Sequence, residues 1–324
     1  MNKTLIPALA LLPLPALAEV PQVVTDIPAV HALTAQVMGD LGRPAVLLEQ
    51  GASAHHYQLK PSQAATLQEA DLVFWVGPEL TPWLERAIDG LALGSKPVEL
   101  LGAPGTHLQD FDGHEIHHDA EDGHDDDDHA AHEHAEEDHA AAADDDHDHV
   151  HEGMDPHAWL TPENAETWLG VIAQELAATD PDHAATYAAN AAAAQDAVRA
   201  LDTKLQAMLA PVAGKPFVTF HAAYGYFTAH YGLDVVGAVN LGDASAPGAA
   251  HLSALRADLA QKNVVCAFPE AQHDPKQIDI LLDGTSVKRG AVLDPSGSAL
   301  DYGPGLYTAL MTDLATALVD CLAP

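Results

Sequence analysis

The sequence predicts an α/β protein with two lobes, each built on a parallel sheet wrapped by helices. Short β-branched stretches alternate with helical patterns in two series, one on either side of a long helical segment. Such alternation is typical of parallel sheets, because each parallel connection needs a crossover. The chain of 324 residues also exceeds a typical single domain, which favours two lobes.

Each series contains four predicted strands. Those of the first series cover residues 21–25, 45–49, 72–76 and 97–101. Those of the second cover residues 217–220, 235–239, 264–268 and 291–293, with helices near 249–261 and 305–322. We expect each lobe to bury its own core.

A long helix is predicted between the two series. Thr161 before Pro162, and Asp180 before Pro181, have the residue types of a helix N-cap and first turn, so a helix is expected to begin at each proline. The second of these helices carries an apolar stripe at steps of four and three, formed by Tyr187, Ala191, Ala194, Val198, Leu201, Leu205 and Met208. No Gly- or Ser-rich linker joins the lobes, so the connection should be stiff.

The first 18 residues predict a cleavable export signal. Lys3 precedes an apolar stretch at 5–14, and Ala16-Leu17-Ala18 forms a small-residue cleavage site. The apolar stretch is about 10 residues, shorter than the ~20 needed to span a bilayer. We therefore expect an exported protein without membrane insertion. The predicted division of the chain is a signal at 1–18, an N-terminal lobe at 19–180, a linking helix at 181–211 and a C-terminal lobe at 212–324.

The net charge of −35 argues against nucleic acid and anionic membranes as partners, because both require basic patches. Cations are the natural ligands of such a chain. Much of the charge lies at residues 107–151, which consist mainly of His, Asp, Glu, Ala and Gly. This segment cannot bury a core, so we expect it to interrupt the first lobe as a loop that is disordered without metal.

The chain contains two cysteines, Cys266 and Cys321. An oxidising compartment would allow them to pair. Two buried thiols that never meet remain the alternative, because the sequence cannot fix their geometry.

Three histidines occupy the positions where open α/β folds bind ligands, beyond strands or just before helices. They are His55, His157 and His221. Asp294 and Glu270 also follow predicted strands, and either could supply a fourth ligand. Singly, such residues are more often hydrogen-bonded groups at strand ends, but the set indicates a metal site.

The sequence resembles a family, the periplasmic zinc-binding proteins of ABC importers, and in particular the ZnuA-like members of the zinc/manganese solute-binding cluster. The resemblance covers nearly the whole mature chain. It is carried by the segments at 51–62, 70–79, 157–162, 220–227 and 293–295, which read GASAHHYQLKPS, ADLVFWVGPE, HAWLTP, FHAAYGYF and LDP.

The resemblance implies that His55, His157 and His221 are the primary ligands of a site in the interlobe cleft. Asp294 is the tentative fourth ligand, with water as the alternative, because Ala54 stands where some members carry Glu. Glu270 is expected behind the ligands. Members that look manganese-selective carry a carboxylate at the position of His221, so a third imidazole favours zinc.

The resemblance also implies a function. The protein would be a monomeric periplasmic carrier, not an enzyme, that passes Zn²⁺ to the permease of an ABC importer with its ATPase. A disulfide between Cys266 and Cys321 would lie in the second lobe. Because zinc binds deprotonated imidazole, affinity should fall as the pH drops through the ordinary imidazole pKa of about 6.5.

The acidic loop is expected to hold several weak accessory zinc sites, although a solvated charged segment without function is the alternative. Its candidate ligands are His114, His117, His118, His124, His129, His132, His134, His139, His147, His149 and His151. Residues 114–118 match the zinc-protease pattern HExxH, but the flanking composition does not support the helix that this pattern requires. No metal role is assigned to His31, His56, His183, His230, His251 and His273.

Two other functions are compatible with these residues. A zinc hydrolase could use three histidines and a metal-bound water, with Glu270 as the only remaining base if Asp294 binds the metal. A zinc buffer could use the acidic loop as its main binding segment. No substrate pocket can be inferred from the sequence, and the observation that favours a carrier is the set of imidazoles spread over both lobes.

Overall fold

Two four-stranded parallel sheets organise the protein, as the sequence predicts. The computed structural model describes residues 20–91, 94–111, 153–240 and 248–324. The first sheet contains β1 (Val23–Thr25), β2 (Ala45–Val46), β3 (Leu72–Trp75) and β4 (Lys96–Glu99), in the order β2-β1-β3-β4. The second contains β5 (Phe217–His221), β6 (Val235–Asn240), β7 (Cys266–Ala267) and β8 (Lys288–Arg289), in the order β6-β5-β7-β8.

The central strands are buried along their whole length. Every residue of β1, β3 and β5 is buried, which is typical of parallel strands covered on both faces by helices. The described helices are α1 (Pro28–Met38), α2 (Pro61–Glu69), α3 (Pro82–Gly90), α4 (Pro162–Thr179), α5 (Ala184–Leu209), α6 (Gly225–Tyr231), α7 (Ala249–Gln261), α8 (Lys276–Leu282) and α9 (Leu306–Leu322).

The long helix α5 begins three residues later than predicted. A 3₁₀ turn at Pro181–His183 precedes it. The Asp180 carboxylate does not cap this turn, because it accepts hydrogen bonds from His183 Nδ1 at 2.6 Å and from the Tyr187 hydroxyl at 2.8 Å. The predicted apolar stripe is buried, except that Leu209 takes the place expected for Met208.

The main core is shared between the two halves of the chain, whereas the sequence predicts a separate core for each lobe. One buried cluster includes residues of α1, α4, α5 and α9, so the last helix packs on helices of the first half. The Gln36 amide donates to the Pro304 carbonyl at 2.8 Å, and Gly51 N donates to the Ser298 carbonyl at 2.9 Å. Two smaller clusters lie on the outer faces of the sheets. These contacts fix the two sheets relative to each other.

The last strand lies earlier in the chain than predicted. The expected strand at 291–293 is wrong, because β8 is Lys288–Arg289 and both of its residues are exposed. An exposed, charged edge strand has no apolar pattern by which to detect it. Leu293 still pairs with Glu270 through an isolated parallel bridge.

The acidic loop begins later than predicted. Residues 107–111 belong to the fold: Leu108 and Gln109 are each 2% exposed, and Asp110 pairs with Met154 in an antiparallel bridge. Leu108 contributes to the main core, which explains why the chain is held here. The predicted signal at 1–18 and the loop histidines from His114 to His151 lie outside the described residues.

Cys266 and Cys321 form a disulfide that joins β7 to α9 across a sequence separation of 55 residues. The bond therefore fastens the last helix to the second sheet. Among the described helices, none is both long and apolar enough to cross a membrane.

Candidate metal centre

Three imidazoles from distant parts of the sequence meet in one small cavity. His55, His157 and His221 each offer a ring nitrogen, and these nitrogens all lie within 4.8 Å of one another. The ring centroids are 5.0–5.4 Å apart. The cavity beside them has a volume of about 20 Å³, enough for an ion or a water molecule but not for an organic ligand.

The two lobes both contribute to this cluster. His55 lies in the loop after β2, and His157 directly precedes the turn that leads into α4. His221 is the last residue of β5, at the carboxyl end of a central strand where α/β folds present ligand groups. His157 and His221 are 1% and 3% exposed, so they form the floor of the cavity.

A buried carboxylate orients His157. Asp155 Oδ1 lies 2.7 Å from His157 Nδ1 and also accepts the backbone N–H of His157 at 3.0 Å. This contact keeps the proton on Nδ1 and presents the Nε2 lone pair, as in carboxylate–histidine–zinc arrangements. Nε2 of His157 is buried and has no hydrogen-bond partner among the described residues. A buried nitrogen of this kind fits a metal ligand.

A second carboxylate orients His221 in the same way. Glu270 Oε1 lies 3.1 Å from His221 Nδ1, and Oε2 accepts the Tyr224 hydroxyl at 2.8 Å. Burial alone would raise the pKa of Glu270, but the charge of His221 and hydrogen bonds from His221, His273 and Tyr224 lower it to about 2. Burial, together with Glu270, raises the pKa of Tyr224 well above its ordinary value. Glu270 therefore stays ionised while Tyr224 keeps its proton.

Gly225, in the second lobe, packs directly against Asp155. A Cβ at Gly225 would lie 2.6 Å from Gln109 Nε2 and 2.8 Å from Asp155 Oδ2, so only glycine permits this approach. Gln109 N donates to the Tyr226 hydroxyl at 3.0 Å, and Asp155 N donates to the Gln109 carbonyl at 2.9 Å. The orientation of His157 thus depends on contacts between the lobes.

Asp294 does not belong to either group of described side chains that could hold a metal. Its Oδ2 accepts the backbone N–H of Ala299 at 2.7 Å, and its Oδ1 accepts from the Ser296 hydroxyl at 3.2 Å and from Gln272 Nε2 at 3.4 Å. These bonds hold the carboxylate against its own loop. Its role as the fourth ligand stays a prediction.

Three contributors to the site carry no role in the expectations from the sequence. Asp155 lies two residues before His157, and this spacing lets one carboxylate oxygen bind both the ring and the backbone; the pattern could have been read as a signal. Gln109 was placed inside the acidic loop. His273 was given no role, yet it forms a second group with His221 and Glu270 whose ligand atoms lie within 4.8 Å of one another.

The fold resembles those of solved metal-binding proteins. A zinc-bound crystal structure of a ZnuA deletion mutant is 22% identical with a TM-score of 0.71, covering 94% of this chain and 98% of that one. The periplasmic zinc-binding protein TroA from Treponema pallidum is 19% identical with a TM-score of 0.73, covering 94% and 99%. At these identities the likeness concerns the fold alone, a pair of α/β lobes that these solved proteins share with this chain.

Comparison with sequence relatives shows to which family the chain belongs. The model of the family described as ZnuA, zinc-uptake complex component A, periplasmic, matches residues 23–321. The high-affinity zinc uptake system protein ZnuA of Paracoccus denitrificans is 58% identical over 315 residues, 97% of this chain and 96% of its own. Its counterpart in Brucella suis is 41% identical over 307 residues, 93% and 91%. The chain therefore belongs to the ZnuA family, and the resemblance inferred from the sequence is confirmed.

Proposed function

We propose that this protein captures Zn²⁺ between its lobes through His55, His157 and His221 and delivers it to an ABC-type importer in the inner membrane. The observation that carries this proposal is the convergence of three imidazoles from both lobes on one cavity. Ring nitrogens this close can bind one ion at about 2.0–2.1 Å each. Relatives named as high-affinity zinc uptake proteins support the same cargo.

The donor set favours zinc over harder cations. Three imidazole nitrogens suit zinc, copper or nickel, whereas manganese and magnesium prefer carboxylate and water oxygens. Asp155 and Glu270 lie behind His157 and His221, where they balance part of the charge of the ion that these histidines hold without binding that ion. A water is the better candidate for the fourth position, because the Asp294 carboxylate is held by its own loop.

The remaining parts of the proposal are also based on the ZnuA family. The protein is an exported monomer that loses residues 1–18 and works in the periplasm, where an oxidising environment maintains the Cys266–Cys321 bond. Its domains are an N-terminal lobe at 19–180, a linking helix at 181–211 and a C-terminal lobe at 212–324. Its partner is the permease of the importer with its ATPase, and the histidines of the acidic loop are accessory zinc sites.

The geometry favours binding over hydrolysis. A zinc hydrolase needs a base within reach of the metal-bound water. Glu270 was the carboxylate left for that role, but its Oε1 faces His221 and its Oε2 accepts the Tyr224 hydroxyl. The cavity of about 20 Å³ leaves no room for a substrate. A buffer based on the loop alone would not need buried imidazoles oriented by carboxylates.

Growth in zinc-depleted medium tests the transport role. A strain lacking this protein should grow when given the wild-type gene and should fail with His55→Ala, with growth restored by added zinc salts. A strain that carries a variant without the loop residues 112–152 should retain most of its growth, because the three histidines lie outside the loop. His183→Ala serves as the control, since His183 pairs with Asp180 away from the cavity. Full growth of the His55→Ala strain would contradict the proposal.

Zinc affinity should fall as the medium is acidified from neutral pH to about pH 5, because protons compete for imidazoles whose ordinary pKa is about 6.5. Glu270 contributes little to this change. Its pKa is lowered to about 2, so the interactions of its charged form are complete at neutral pH and are lost only as the pH falls through about 2. Competition with a zinc-sensitive dye across this range measures the effect. An affinity that stays constant down to pH 5 would argue against imidazole ligands.

A further inference from the structure

His273 lies beside the proposed zinc site and shares a carboxylate with it. Its Nε2 is 3.5 Å from Glu270 Oε1, the same oxygen that lies 3.1 Å from His221 Nδ1. The ring of His273 stacks on Phe220 with centroids 4.4 Å apart and an interplanar angle of 26°. Phe220 directly precedes His221 in β5, so the sheet that positions one imidazole also supports the other.

The backbone next to His273 adopts a conformation that is uncommon for its residue type. Gln272 has a φ of 63°, in the left-handed region that side chains other than glycine seldom occupy. Its side-chain amide donates to Asp294 at 3.4 Å and also contacts the Ser298 hydroxyl. A strained residue held in place by its neighbours often marks a functional loop. Here the loop carries Glu270 and His273.

The residues around the cavity differ in exposure to solvent. We call the buried side of the cavity its floor and the exposed side its mouth. His157 and His221 are buried at the floor, and Glu270 is buried between His221 and His273. The side chain of His273 is 32% exposed, and Gln272 is exposed beside it. An ion that arrives from water on this side of the cavity therefore meets His273 before it reaches His157 or His221.

The spacing between His273 and Glu270 matches two ligands of one zinc ion. Two ligands of a tetrahedral zinc ion, each about 2.0–2.1 Å from the metal, lie about 3.3 Å from each other. The observed 3.5 Å between Nε2 and Oε1 is close to that value. A carboxylate oxygen has two lone pairs, so Oε1 can face an ion while it still accepts from His221.

We propose that His273, at the mouth of the cavity, and the buried Glu270 next to it form a capture position, where Zn²⁺ exchanges its first water ligands before it passes to His55, His157 and His221. The inference rests on the function proposed above and adds the route by which the ion arrives. Each step replaces bound water by one protein ligand, so the ion never loses its whole hydration shell at once. The capture position changes the rates of zinc binding and release, not the equilibrium affinity.

Stopped-flow kinetics of zinc association and dissociation, together with equilibrium competition, test this proposal on the full-length protein. The variants are His273→Ala and His273→Gln. Glutamine keeps an N–H group that can donate to Glu270 but is a poor zinc ligand, so it separates metal capture from support of Glu270. His183→Ala is the matched control, because the side chain of His183 is 29% exposed and also pairs with a carboxylate.

Both His273 variants should bind zinc about ten-fold more slowly and release it more slowly by a similar factor, with little change in equilibrium affinity. The control should keep the wild-type rates. Wild-type association rates in both variants would overturn the proposal. Faster release with weaker affinity would also overturn it, since that pattern means His273 only supports Glu270. If His55→Ala and His221→Ala bind zinc as tightly as the wild type, the proposed function itself fails, whatever the behaviour of His273.

Discussion

Replacing His157 with alanine is expected to weaken zinc binding at least about 100-fold, since loss of a partner behind a ligand alone costs about 10–100-fold. His157 is 1% exposed and its ring is held by Asp155, so no other described side chain can move into its place without rebuilding the floor of the cavity. His221→Ala should have a comparable effect. Calorimetric titration against a competing chelator measures both.

The loop complicates this titration, because its histidines would bind zinc weakly and mask the loss. The measurement is therefore made in a background that lacks residues 112–152. His230→Ala is the control, because His230 pairs with Asp202 at 2.8 Å on the linking helix and takes no part in the cavity. Wild-type affinity in the His157→Ala protein would remove this residue from the site.

Loss of the disulfide should have the largest effect on stability. A crosslink that closes a sequence separation of 55 residues restricts the unfolded chain, and removing it should lower the free energy of unfolding by about 4 kcal/mol. Cys266 is fully buried at β7 and Cys321 lies on α9, so the bond also holds the last helix on the second sheet. The double variant Cys266→Ala/Cys321→Ala is compared with the wild type by denaturant unfolding.

Zinc binding provides the internal control for this variant. The ligands lie outside the disulfide loop, so the folded double variant should still bind one zinc ion tightly. Reduction of the wild-type protein should reproduce the loss of stability. A decrease in unfolding free energy below about 1 kcal/mol, well under the usual 2–5 kcal/mol, would show that packing of α9 alone holds the last helix.

The sequence predicted the architecture because its periodic signals are strong. Short stretches rich in β-branched and aromatic residues mark β1, β3 and β5, and the stripe on α5 is regular over about six turns. The edge strand β8 was misplaced, because Lys288 and Arg289 are exposed and carry no such signal. The shared core was not foreseen, since periodicity says which face of α9 is apolar but not which helix it meets.

The sequence predicts the candidate ligands, which the structure brings together, but not their supporting contacts. His55, His157 and His221 stand at strand ends or helix starts, and the packing of the two lobes places them together. The part played by His273 depends on the left-handed backbone at Gln272 and on stacking against Phe220. Such contacts depend on the packed structure, and no local sequence pattern predicts them.

The role of Asp294 as the fourth ligand stays a prediction, because it rests on its strand-end position. Such a position brings a carboxylate near a cleft but does not fix its direction. Here it binds the backbone of Ala299 and the amide of Gln272. Through Gln272, this carboxylate also contacts the loop that carries Glu270 and His273. Composition also failed to predict the structure at 107–111. It assigns these residues to a disordered loop, but two of their side chains, Leu108 and Gln109, are buried in the fold.

An anomalous difference map at the zinc absorption edge, from crystals of the zinc-loaded protein, tests the central claim most directly. We expect one strong peak in the cavity, about 2.0–2.1 Å from a ring nitrogen of each of His55, His157 and His221. The nitrogen should be Nε2 in His157 and His221, since Asp155 and Glu270 occupy the Nδ1 side. A map with no peak between these three rings, or with zinc bound only by the acidic loop, would contradict the assignment of these three histidines as the zinc site.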